Sequence, residues 1–311
     1  DIKHRDRIFK WLEENTDIAM NLDIPPRLKY QGQYGECLEI SKENFKYFSD
    51  NQTGSTQFMN VIQGDDEHTY MNWYNEVKDF DFMGWGVGGC GGSLYRFMSG
   101  VLALINGKEH LKDSTKVIHI LGTSKIRDFL MLKQLSKSIG EVGSKAIITT
   151  DSSSPDRAVV FGTFYTGFSM KRGTFESVGF PNAKHNSDII NDFNNLPIKS
   201  WPRLTDFDDK LAETVDWSDV ANWNPDCTIG MRMHNFYLFK DAIQQVEHYI
   251  DGHNYILEQV VDKDTYTVLM SIDEMVKSDK PIQVFEKYKH LYKKLSNTKK
   301  EHSYASNQFF G

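Results

Sequence analysis

The residues best suited to chemistry in this chain stand where apolar runs stop. Ala146, Ile147, Ile148, Thr149 and Thr150 form a largely β-branched run that halts at Asp151, and Ser152, Ser153, Ser154 and Pro155 cannot continue it as a strand. The run over 17–23 ends on Asp23 before Ile24-Pro25-Pro26, and the run over 58–63 ends on Gln63 and Gly64. Residues 82–87 lead into Gly88-Gly89-Cys90-Gly91-Gly92, and residues 116–121 end on Leu121 and Gly122. A carboxylate can attack an electrophilic carbon or accept from N–H donors, an amide can donate to a carbonyl, and glycine lets a ligand approach bare backbone N–H groups. Each feature also has an ordinary reading. An Asp before Ser and Pro is a common turn former, and the glycine run lacks the GxGxxG or GK[ST] spacing of a phosphate loop.

These residues need elements to hold them. Helical spacing predicts helices over 5–14, with Ile8, Trp11 and Leu12 on one face, and over 41–49. It predicts further helices over 66–77, burying Tyr70, Trp73, Tyr74 and Val77, over 93–105, burying Leu94, Phe97, Met98, Val101 and Leu102, and over 124–138, burying Ile126, Phe129, Leu130 and Leu135. Five strands alternating with helices make a parallel α/β sheet, whose C-terminal rim is where such folds build active sites. His119 falls mid-strand and reads as a core histidine rather than a ligand or base. Five strands do not close a barrel and eight do, so three further strands upstream fit a chain that opens on Asp1 without an initiator Met.

Composition narrows the classes. With 311 residues, 39% hydrophobic and 25% charged, the chain has the make-up of a folded soluble protein with room for a large core. It contains no apolar run of membrane-span length and no signal-peptide pattern, so the cytoplasm is the expected compartment. The three cysteines, Cys37, Cys90 and Cys227, form neither a disulfide framework nor a zinc knuckle. A net charge of −7 does not advertise nucleic-acid binding. The basic stretch of Lys287, Lys289, Lys293, Lys294, Lys299 and Lys300, on a helix with an apolar seam of Val284, Tyr288, Leu291 and Leu295, reads equally as a phosphate-binding or a solvated face.

Taken in order, DIAMNLDIPP, FMNVIQG, GWGVGG, HILGTS and TTDSSSPDR resemble the strand-end elements of the queuine and archaeosine tRNA-guanine transglycosylases. That family carries an acid in "FDE", then "VQG", "GYAxGG", "LxG" and the nucleophilic Asp of "DCVxPTR". The resemblance runs over about 16–166, with a further match at His234-Asn235. It implies a TIM (β/α)8 barrel, with 1–166 supplying strands 4–8, a divergent subdomain over 167–232 in place of the zinc-binding region, and a C-terminal helical segment over 233–311. It implies Asp151 as the nucleophile of a pentosyltransferase, with Asp23, Gln63, Gly64, Gly88, Gly89, Cys90, Leu121, Gly122 and Arg157 around the base. Asp23 would accept from the guanine N1–H and N2–H₂, and Gln63 or a glycine N–H would meet O6.

Two departures shape the reading. The family's second acid, in "DSGGF", has no counterpart in the 22 residues before Asp23, which points to upstream sequence or to an inactive relative. Its CxCxxC-plus-His zinc site is also missing: His234 has only Cys227 nearby, so no metal and no cofactor is expected. His234 is expected to begin a helix that packs Phe236, Phe239, Ile243 and Val246 inward, and His248 and His253 to lie on the surface. Loss of the zinc element favours the phage and bacterial DNA-guanine transglycosylase branch. The expected partners are therefore DNA, with tRNA as the alternative, and a free 7-deazaguanine base such as preQ0. A homodimer is compatible and no membrane is involved. A non-catalytic nucleic-acid-binding subunit and a two-carboxylate glycosidase are the rival classes.

Overall fold

In a computed structural model, residues 2–26, 33–90, 92–179 and 225–296 are described. The chain divides into two units. One comprises Asp1–Thr123, Met131–Asp151 and Lys263–Asn297, and the other Ser124–Leu130, Ser152–Asp262 and Thr298–Gly311.

The first unit is built on five parallel strands, β1 (Ile18–Met20), β2 (Gln57–Ile62), β3 (Gly84–Val87), β4 (Val117–Ile120) and β5 (Ile147–Thr150), in the spatial order of the sequence. The sheet is curled into a half-barrel. Helices α1 (Ile2–Asn15), α2 (Tyr34–Asn51), α3 (Glu67–Val77) and α4 (Leu94–Asn106) alternate with the first four strands, and α5 (Ile126–Glu141), divided between the units, precedes β5. α3 starts where Asp66 accepts the Thr69 N–H in a capping box. α4 starts at Ser93, whose hydroxyl accepts from the Arg96 N–H.

Side chains alternate across the sheet with a period of two. Phe58, Ile62, Trp85, Val87, Ile118 and Ile120 are buried on the helix side. There Phe48 meets Phe9 and Phe58 edge-on at 5.0 Å each, and Tyr74 packs against Trp85 at 5.3 Å. Met59, Val61, Gln63, Gly86, Gly88, His119 and Thr149 take the other face. The last helices, α9 (Lys263–Lys277) and α10 (Pro281–Ser296), pack against each other and against α4.

Several expectations need correction. In α1 the buried residue is Phe9, and Trp11 is exposed, so the apolar face is turned by one position from the expected one. β1 has three residues, which puts Asp23 beyond the strand instead of on its end. α2 begins at Tyr34, well before residue 41, because the Tyr34 hydroxyl donates to Thr69 O at 2.6 Å and its ring meets Trp73 edge-on. Among the described residues β5 is an edge strand, and Ile147 is exposed where a buried strand is expected. Among the described residues β1 forms the opposite edge, and the two edges do not pair.

On α10 the buried set is Pro281, Val284, Phe285, Tyr292 and Leu295, with Tyr288 and Leu291 only half-buried. Its lysines are already engaged: Lys287 with Glu274, Lys289 with Glu67 and Glu286, Lys294 with Asp264 at 2.6 Å, and Lys293 over the Tyr95 ring at 4.8 Å. Lys299 and Lys300 lie outside the described residues.

The second unit holds α6 (Ser154–Val160), an antiparallel hairpin of β6 (Thr163–Ser169) and β7 (Thr174–Gly179), α7 (Pro225–Asp251) and α8 (Asn254–Val260). His234 lies inside α7 rather than at its start, and Phe236 is exposed while Val246 is buried. Asn235 accepts the Tyr165 N–H at 2.7 Å and donates to Pro155 O at 2.9 Å, while His234 Nε2 meets Tyr165 O at 2.9 Å. A carbonyl only accepts, so that His234 nitrogen carries a proton, and the pair ties α7 to β6 and α6. His248 and His253 are exposed. Much of the stretch over 167–232 lies outside the described residues, including the side chain of Cys227.

Candidate functional site

Parallel pairing in equal register carries each strand's exit to the same level. The last paired positions are Ile62 with Val87, Val87 with Ile120, and Ile120 with Thr150. One residue further on stand Gln63, Gly88, Leu121 and Asp151, in a single row across four strands. The row is held by backbone bonds from Gly88 N–H to Ile62 O at 2.9 Å and from Leu121 N–H to Val87 O at 3.0 Å. Two residues back, on the same face, lie Val61, Gly86, His119 and Thr149.

Asp151 stands at the open end of that row, its side chain 63% exposed. Its Oδ1 accepts the Gly122 N–H at 2.8 Å and lies 3.3 Å from His119 Nε2. Gly122 has φ +69°, a left-handed conformation that aims its N–H at the carboxylate and that glycine adopts without strain. His119 Nδ1 is 2.8 Å from Thr149 Oγ1, so the ring is gripped at both nitrogens between β4 and β5. Below Asp151, Thr150 donates to Ile120 O at 2.7 Å, and the Thr123 hydroxyl therefore donates to Thr150 Oγ1 at 2.5 Å.

At the other end of the row Gln63 is buried, and its Nε2 donates to Asp23 Oδ2 at 2.7 Å. Asp23 lies on the segment after β1, which α2 clamps. Ser41 Oγ accepts the Ile24 N–H at 2.8 Å, and Asn44 Nδ2 donates to Leu22 O at 3.0 Å. An acid and an amide joined in this way place acceptor and donor atoms side by side.

The glycine loop differs from the sequence reading. The Gly88 N–H is occupied by Ile62 O, so it is not a bare donor, and the Gly88 carbonyl accepts the Tyr70 hydroxyl at 2.5 Å. Burial pushes that hydroxyl well above its ordinary pKa, which keeps it a donor. A Cβ at 88 would sit 2.1 Å from Gln63 Nε2, so any other residue there would displace the amide that meets Asp23. Gly64 and Cys90 are buried, and Gly89, with φ +75°, is exposed. Arg157 belongs to the second unit, exposed on α6 with its guanidinium 5.6 Å above the Phe161 ring.

The structure thus brings Asp23 to Gln63, and Asp151 to Gly122 and His119. Sequence reasoning set His119 aside. The missed signal is register: 119 pairs with 149, and 149 and 151 share a face, so a histidine at 119 lies beside a carboxylate at 151. Among the described residues no three His, Cys, Asp or Glu side chains cluster as metal ligands, and no helix is long and apolar enough to cross a membrane. No protein-family model matches the chain, and no curated protein matches it.

Proposed function

We propose that this protein is a guanine base-exchange enzyme, a pentosyltransferase that replaces guanine in DNA with a 7-deazaguanine base through a covalent Asp151-glycosyl intermediate. The observation that supports it best is the single row of Gln63, Gly88, Leu121 and Asp151, with Asp23 bonded to its far end. On this reading the five strands belong to a (β/α)8 barrel, and its C-terminal rim carries the site.

The chemistry follows from the residue types. The target guanine leaves its stack, and Asp23 and Gln63 read its edge. An Asp151 oxygen attacks C1′ as the C1′–N9 bond breaks. The electron pair departs with the guanine, which takes a proton from water. The incoming deazaguanine gives its N9 proton to water, attacks C1′ and expels the Asp151 carboxylate. The exposure of Asp151 fits a nucleophile that must meet a polymer, and its donors fit a carboxylate held in one direction.

DNA is favoured over tRNA because the family's CxCxxC element is absent from the sequence. The test offers labelled guanine and preQ0 to the protein with duplex DNA and, in parallel, with tRNA. Label entering DNA, and lost in Asp151→Asn, is expected. Label entering only tRNA would reassign the polynucleotide. Full exchange in Asp151→Asn would remove the nucleophile assignment.

A further inference from the structure

We infer that His119 is a positioning residue for the nucleophile: it fixes one oxygen of the Asp151 carboxylate and thereby selects the other as the attacking atom. This inference rests on the reading of Asp151 as the nucleophile. Among the described residues both hydrogen bonds to the carboxylate fall on Oδ1, from Gly122 N–H at 2.8 Å and His119 Nε2 at 3.3 Å. An ionised carboxylate only accepts, so Nε2 must carry a proton to bond with it. The ring's other nitrogen sets that state. Nδ1 faces the Thr149 hydroxyl at 2.8 Å, which can donate to a neutral ring or accept from a charged one. Thr149 can serve either state of the ring, and in both the Nε2 proton points at Oδ1.

The consequence is geometric. A carboxylate pinned through two donors on one oxygen cannot rotate about its Cβ–Cγ bond without breaking both. The second oxygen is then held in a fixed direction, which shortens the search for the in-line approach to C1′. The backbone donor at Gly122 fixes a point, and the ring fixes the plane. His119 is mostly covered, at 15% side-chain exposure, and strand pairing on both sides anchors it, so it is a rigid support. In the reaction His119 gives up no proton. It holds Oδ1 while an Oδ2–C1′ bond forms and later breaks.

Two side chains of different reach separate this role from simple core filling. Glutamine places its Nε2 near the histidine Nε2 position, and asparagine places its Nδ2 near Nδ1. His119→Gln should therefore keep the bond to Asp151, and His119→Asn only the bond to Thr149. The readout is the single-turnover rate of covalent adduct formation with an oligonucleotide, together with kcat and KM. His119→Asn should lose about 10²-fold in adduct rate and kcat with KM within about twofold, and His119→Gln should recover to within about fivefold of wild type. Thr149→Val, which frees Nδ1 but removes neither donor, should fall in between.

Equal rates in the Asn and Gln variants would overturn the inference, as would a fall seen only in KM. A wild-type protein that forms no adduct would overturn the reading of Asp151, and this inference with it. A wild-type adduct that Asp151→Asn abolishes leaves that reading standing, and the two histidine variants then decide.

Discussion

The same sheet carries a carboxylate near each of its ends, and the two are treated in opposite ways. Glu109 lies in the turn between α4 and β4 and is 2% exposed. It accepts from the Tyr74 hydroxyl at 2.6 Å, Trp85 Nε1 at 3.0 Å and Lys112 Nζ at 2.6 Å. Burial, then hydrogen bonding to Glu109, drives the Tyr74 hydroxyl far above its ordinary pKa, so it stays a donor. Asp151, at the exit of β5, is open to solvent and has donors on one oxygen only among the described residues. A buried carboxylate with donors on both oxygens supports packing, whereas one held by a single oxygen leaves the other atom open. The difference lies in saturation and exposure rather than in residue type.

The sharpest way to break the comparison is to remove each acid in turn. Asp151→Asn should reduce base exchange by at least about 10³-fold, measured in single turnover, while moving the thermal midpoint by no more than about 2 °C. Glu109→Ala should do the reverse. It leaves the Tyr74 hydroxyl, the Trp85 N–H and the Lys112 ammonium without their shared partner, at a cost of about 3–5 kcal/mol in urea unfolding. Folded Glu109→Ala protein below its unfolding midpoint should still exchange. Stability loss at 151 or activity loss at 109 in folded protein would collapse the distinction.

How much of this was legible in the sequence follows from which forces are local. The strand exits could be read because consecutive parallel strands share one register, so the chain's own order is the spatial order. α3, α4 and α5 could be read because their apolar spacing is local to each helix, and α3 and α4 are each opened by a local cap, Asp66 and Ser93. Distant partners set the features that were misread. α2 starts early because Tyr34 reaches Thr69 and Trp73. The face of α1 turns on Phe9 because Phe48 and Phe58 receive it. The Gly88 N–H looked bare until Ile62 O took it, and His119 looked inert until register set it beside Asp151. Helical periodicity and strand composition carry no information about such cross-element pairs.

At the middle of the scale, Asp23→Asn tests the far end of the row. The amide would turn a donor toward the guanine N1–H side and disturb the bond from Gln63. A loss of about 10²-fold in kcat/KM for the base is expected, with the guanine-to-deazaguanine ratio measured alongside. Glu67, the first residue of α3, offers a carboxylate engaged at both oxygens. Burial alone would raise its pKa, but hydrogen bonds from Lys289 and the Tyr95 hydroxyl outweigh this and hold it at about 2, against an ordinary 4.5. A carboxyl depressed on folding stabilises the protein above its unfolded pKa and loses that contribution as pH falls through the folded value. Lys289→Met should therefore cost about 1–2 kcal/mol at neutral pH, and its unfolding curve should converge on wild type between about pH 4.5 and pH 2. A difference that persists unchanged at pH 2 would show that Lys289 acts through packing instead of charge.

The smallest effect is expected where the sequence showed its densest positive charge. Each phosphate contact made by a lysine releases counterions, so losing one lowers the slope of log affinity against log salt by about 0.9. Lys294 is bonded to Asp264 at 2.6 Å, and a phosphate would have to compete with a carboxylate that is already in place. Lys294→Gln should therefore leave that slope unchanged and shift the dissociation constant for duplex DNA by less than about twofold. The acids of the α9–α10 pair occupy these lysines much as Tyr74, Trp85 and Lys112 occupy Glu109: an engaged charge is structural, whatever its sign. A slope reduced by about 0.9 would mean that the Asp264 bond yields to phosphate, and would make α10 part of the polynucleotide track.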